Sequence, residues 1–177
     1  ARSVRDVSRW YDVCAGFDAR DPYSLPAQPE WEAGLGATDL TGLRVAISPD
    51  LGSAVLADAV RSRVHEAGNA LVEATGMQLV AVDVSMPSIT WEWAIANQVG
   101  LVREVGDLWP GCEEQMTKSM AFGVRMGLER FNIEVAGRVE AARTEANRRM
   151  ADLFDKVDVV ICASNPDVAF PAEIESN

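Results

Sequence analysis

Residues 42–84 constrain the fold of this chain more than any other stretch. Residues 42–49 alternate apolar and other side chains, which is typical of a short strand. From Val55 the apolar residues recur at a period near 3.6, as in an amphipathic helix, and Gly76 follows its last turn. Residues 77–84 then form a second apolar run. The pattern predicts a strand, a helix and a second strand joined by a parallel crossover.

The other patterns place further helices and one strand around this unit. Residues 157–163 are an almost continuous apolar run, which is typical of a strand covered on both faces. We expect an α/β fold with a parallel or mixed β-sheet and covering helices, in a single partial domain over residues 1–177. Its expected parts are a helix over 1–15, a connecting segment over 16–41, the strand-helix-strand over 42–84, a helical pocket region over 85–155, a strand over 156–163 and a loop over 164–177. Within the helical region we expect helices over 87–108, 113–128 and 129–154, the last with ion pairs Glu134–Arg138 and Glu145–Arg149.

Charge and composition exclude several classes of function. The net charge is −11, from 27 acidic and 16 basic residues, so neither nucleic acid nor an anionic membrane surface is an expected partner. No apolar run reaches the roughly 18 to 20 residues of a membrane helix. The three cysteines are far apart and no export signal is recognisable, so we expect reduced thiols and a cytoplasmic location.

The residue types that usually carry chemistry are sparse. His65 is the only histidine, and its position in the helical pattern favours a surface residue over a base or ligand. The chain has neither a Cys/His cluster nor a glycine-rich phosphate loop, so we expect no metal and no cofactor. The adjacent Glu113 and Glu114 would point apart on a helix, where a favourable interaction with the helix dipole is the better interpretation. We therefore assign no catalytic residue in this chain.

Aromatic and methionine side chains are the best candidates for a binding pocket. They fall in the expected helical region, and such side chains commonly line apolar pockets that also hold a few polar groups. Packing in the protein core is the alternative interpretation of the same residues. The candidate substrate-binding residues are Trp91, Trp93, Asn97, Met116 and Phe122.

Four stretches together resemble the amidase signature family, serine hydrolases that cleave the C–N bond of amides. They are ARSVRDV (1–7), AGFDARDP (15–22), GLRVAISPDLG (42–52) and LFDKVDVVI (153–161). Their order and spacing are similar to those of the family, and the resemblance covers most of the chain. It implies an amidase-like sheet and a mechanism with a Ser nucleophile, a second Ser in a cis peptide and a Lys base.

The catalytic part of the family pattern is missing from these residues. No Gly-Ser-Ser-Gly-type run occurs, and Lys118 and Lys156 match neither the family's catalytic lysine nor its setting. The chain also begins without Met. We therefore expect a middle segment of an amidase, whose catalytic groups, remaining fold segments and small amide substrate lie outside it. Association of the protein into a homo-oligomer is a further alternative.

Two other interpretations remain at this stage. The chain could be a stand-alone non-catalytic relative of the amidases that binds a small molecule or a protein. It could also be an unrelated α/β binding domain, which would require a strand order unlike the amidase sheet. The length of the natural polypeptide distinguishes a middle segment of an amidase from a stand-alone relative, because only the stand-alone relative would end where this sequence ends.

Overall fold

The computed structural model describes residues 1–27, 30–169 and 171, so part of the loop expected over 164–177 lies outside the described residues. The chain divides into two compact units, Ala1–Gly42 and Leu43–Asn177. The helices are α1 (Val4–Cys14), α2 (Asp58–Thr75), α3 (Thr90–Val105), α4 (Lys118–Arg130) and α5 (Ile133–Phe154), and the strands are β1 (Arg44–Ile47), β2 (Gln78–Leu79) and β3 (Val159–Ile161). Short 3-10 turns occupy Gly106–Leu108 and Glu113–Gln115.

The first unit is α1 and the segment that follows it. Ser3 caps the helix, since its side chain accepts a hydrogen bond from the Asp6 amide. The carboxylate of Asp12 accepts the amides of Trp31 and Glu32 at 2.6 and 2.9 Å. The rings of Tyr11 and Trp31 lie 5.7 Å apart. The hydrogen bonds to the Asp12 carboxylate and the contact between the two rings therefore hold the segment after α1 against the helix.

The second unit contains a three-stranded parallel sheet in the order β2-β1-β3. Val45 pairs with Leu79 on one side and with Val159 on the other. The predicted α/β class is thereby confirmed. The order strand, helix, strand is present as β1, α2 and β2, but β2 covers only Gln78–Leu79 of the strand expected over residues 77–84. Helix α2 approaches the sheet closely because Gly68 lacks a side chain, and an added Cβ would lie 2.8 Å from the Ile47 side chain.

Burial in the sheet is concentrated on its central strand. Val45 and Ala46 are buried, and Ala46 packs with Leu153 and Val157. The residues of β3 are only half-buried, so the expectation of a strand covered on both faces was wrong. An edge strand has one neighbour in the sheet, and its apolar composition alone does not reveal that position.

Capping residues that the apolar pattern did not reveal determine where α4 and α5 begin. Helix α4 begins after Thr117 and α5 after Asn132, whose side chains accept amides of the first turn. The helix expected from residue 113 therefore starts later. Glu113 lies instead in a 3-10 turn and forms an ion pair with Arg125.

Helices α3 and α5 pack together around the fully buried Ile95, which contacts the buried Val135 and Val139, and α4 packs against α3. The expected Glu145–Arg149 pair is present, with 2.8 Å between the carboxylate and Nε. Arg138 does not pair with Glu134 as expected. Its guanidinium lies 4.4 Å from the Trp91 ring centroid and 3.5 Å from Glu92, so it connects α5 to α3. No helix in the described part of the chain is long and apolar enough to cross a membrane.

Asp158 joins the starts of β1 and β3, and this predicts a pH dependence of stability. Its carboxylate accepts the Arg44 amide at 2.8 Å and the guanidinium at 2.7 and 3.1 Å. The Arg44 side chain is the main cause that lowers the pKa of Asp158 from 3.8 to about 2. Because the folded pKa is depressed, this stabilisation is present above about pH 4 and is lost as the pH falls towards 2.

We expect Asp158→Asn to lower the thermal unfolding midpoint at neutral pH and to flatten its dependence on pH between about 4 and 2. Thermal unfolding of the natural polypeptide at a series of pH values measures both effects. Asp155→Asn is the matched control, because the carbonyl of Asp155, not its carboxylate, accepts Arg44 at 3.2 Å. Equal pH profiles for Asp158→Asn and the parent protein would contradict the prediction.

Candidate functional site

The three parallel strands end at one edge of the sheet, and the loops that follow them are joined there. The Met86 amide donates to the Leu51 carbonyl, and the Ala57 amide donates to the Pro166 carbonyl, each at 2.9 Å. The Ala163 amide donates to Pro49 at 3.0 Å. In open parallel sheets, ligands bind outside the carboxyl ends of the strands. This edge is therefore the candidate site that the geometry favours.

The loop after β1 is held in one conformation by Asp50 and Gly52. The Asp50 carboxylate accepts Arg61 at 2.6 Å and the Gly52 amide at 2.9 Å, and Arg61 is the main cause that lowers the pKa of Asp50. Gly52 has a φ of +78° and lies directly against the Val84 carbonyl. The loops after β1 and β2 are thus packed backbone to backbone.

A cavity of about 360 Å³, here called the sheet-edge cavity, opens between these loops and the helices. Its walls come from the loop after β1, the loop after β2, the first turn of α3 and one residue of α5. Most of the lining is apolar, and its polar side chains are those of Asp50, Ser53, Ser88 and Thr90. The residues that define it are Leu51, Ser53, Met86, Ile89, Trp93 and Ala146. A second cavity, of about 520 Å³, lies between α2 and residues 162–168.

The five pocket candidates from the sequence do not gather at one place. Trp93 lines the sheet-edge cavity, whereas Met116 lines a separate hollow of about 840 Å³ beside Lys118 and Arg125. Trp91 lies against Arg138. Asn97 and Phe122 are exposed on the surface, Phe122 by 58%. The assignment of these residues to substrate binding stays a prediction, and only Trp93 coincides with the geometric candidate site.

Sequence reasoning missed most of the residues at the sheet-edge cavity. Ser53, Met86 and Ser88 were not selected because they belong to no motif. The signal that could have found them is their position, since each follows an apolar run expected to be a parallel strand. Side chains placed after such strands meet at the carboxyl edge of the sheet.

The two lysines and the histidine of the chain lie away from the sheet-edge cavity and are exposed. Lys118 is exposed at the start of α4, and Lys156 is exposed just before β3. Neither lysine is buried in the pocket-like setting in which a lysine usually serves as a catalytic base. His65 is exposed on α2, as expected. Among the described residues, no group of three or more His, Cys, Asp or Glu could hold a metal ion.

Comparisons with known proteins agree with one another. The sequence model of the Amidase family matches residues 1–177. A glutamyl-tRNA(Gln) amidotransferase subunit of Acinetobacter baylyi is 39% identical over 88 residues, which are 49% of this chain and 18% of that protein. The crystal structure of a bacterial aryl acylamidase of the amidase signature family covers 100% of this chain with a TM-score of 0.73 and 19% identity. The chain covers 40% of that enzyme, so it spans less than half of it.

Proposed function

This chain belongs to the amidase family, and on that premise we propose that its natural polypeptide hydrolyses the C–N bond of a carboxylic amide. The observation that carries the proposal is the match of the family to residues 1–177. The aryl acylamidase shares the fold, and both that enzyme and the amidotransferase are named for amide chemistry. The small amide substrate is thus the expected ligand.

The proposed mechanism uses a Ser nucleophile, a second Ser in a cis peptide and a Lys base, as the family resemblance implies. The base takes the hydroxyl proton, the Ser oxygen attacks the amide carbon, and the proton passes to the departing amine. Water then releases the acid. We place these catalytic groups outside these 177 residues. The missing Ser-rich run and the exposure of Lys118 and Lys156 support this placement.

Large apolar side chains on the surface support the proposal that this chain is one section of a larger fold. Val55 and Ile133 are 90% exposed, Val13 is 79% exposed, and Trp10 and Leu79 are exposed by 60 and 56%. A missing interface of about 1,000 Å² forgoes roughly 25 kcal/mol of gross burial at ~25 cal/mol per Å². That exceeds the roughly 5 to 15 kcal/mol of a domain's net stability. The remaining segments of the amidase fold are therefore its first partners.

The free thiols of Cys14, Cys112 and Cys162 support a cytoplasmic location for the protein. Disulfides persist in oxidising compartments, whereas reduced cysteines are usual in the cytosol. A location assay with the natural gene product would therefore find it in the cytosolic fraction. Recovery from the cell exterior would contradict this part of the proposal.

The decisive experiment compares the natural polypeptide with a separately expressed chain of these 177 residues. We expect the natural polypeptide to release ammonia or amine from simple aliphatic and aromatic amides, and the separate chain to aggregate and to hydrolyse none. Release of product is measured for both, together with solubility and the intact mass of the natural protein. Amide hydrolysis by the separate chain at more than trace level would contradict the placement of the catalytic groups. An inactive natural polypeptide with a mass near 19.2 kDa would favour the stand-alone binding relative.

A further inference from the structure

We draw no further inference here: the strongest candidate, the pair of sulfur atoms that the Cys112 thiol and the Met116 thioether place 3.9 Å apart in the turn before α4, rests on a single cysteine whose thiol already donates to that thioether, and nothing in the described part of the chain points to a ligand there.

Discussion

Gly52→Ala is expected to lower the free energy of unfolding of the natural polypeptide by roughly 2 to 5 kcal/mol, a large effect for one added methyl group. Gly52 has a φ of +78°, where an L side chain is strained. An added Cβ would also lie 2.1 Å from the Val84 carbonyl oxygen and 3.0 Å from the Ser85 Cα. Both atoms are backbone, so a side-chain rotation cannot relieve the clash and the loops after β1 and β2 must separate.

Gly36→Ala is the control that isolates backbone strain from this clash. Gly36 has the same φ of +78°, and an added Cβ meets nothing within 4 Å. We expect it to cost about 1 kcal/mol. Urea denaturation midpoints of the two variants and the parent measure the difference. Equal effects at the two glycines would show that the contact with Val84 is unimportant, and a stable Gly52→Ala protein would contradict the described loop packing.

The central part of this fold could be predicted from the sequence because its signals are local. The alternation before Pro49 indicated β1, and the 3.6 period followed by Gly76 indicated α2. The parallel pairing followed from the order strand, helix, strand, for which a parallel crossover is the expected geometry. The starts of α4 and α5 were misplaced because Thr117 and Asn132 are capping residues inside long polar and apolar patterns. The edge position of β3 depends on its neighbours in space, which an apolar run does not specify.

The candidate site was less accessible from the sequence than the fold was. Trp93 was selected for its aromatic ring, and it does line the sheet-edge cavity. Ser53 and Ala146 are ordinary residues whose importance arises only when the loop after β1 meets α5. Phe122 was selected by the same rule as Trp93, but α4 presents it to solvent. The residue type therefore identified one lining residue of the cavity, Trp93. The other lining residues could be identified only from the tertiary structure.

A second large effect is expected at the crossing of α3 and α4, where Gly127→Ala should lower the free energy of unfolding by about 1 to 2 kcal/mol. Gly127 is buried in α4, and an added Cβ would lie 2.7 Å from the Gln98 Cβ and 3.4 Å from a Val102 methyl group. A Cβ is fixed to its backbone, so the two helices must move apart. The gain in helix propensity, ~1 kcal/mol, offsets part of the cost of this overpacking.

Gly100→Ala and Gly123→Ala distinguish a true backbone contact from a general effect of the added methyl group. Gly100 lies in α3 with nothing within 4 Å of an added Cβ, so the substitution should stabilise the protein by about 0.5 to 1 kcal/mol. At Gly123 the nearest atom is the Gln98 Oε1 at 2.5 Å, the far end of a side chain that can rotate, so the cost should be smaller than at Gly127. Urea denaturation of the three variants gives the order of stability. If Gly127→Ala were as stable as Gly100→Ala, α3 and α4 would not pack as closely as Gln98 and Gly127 indicate.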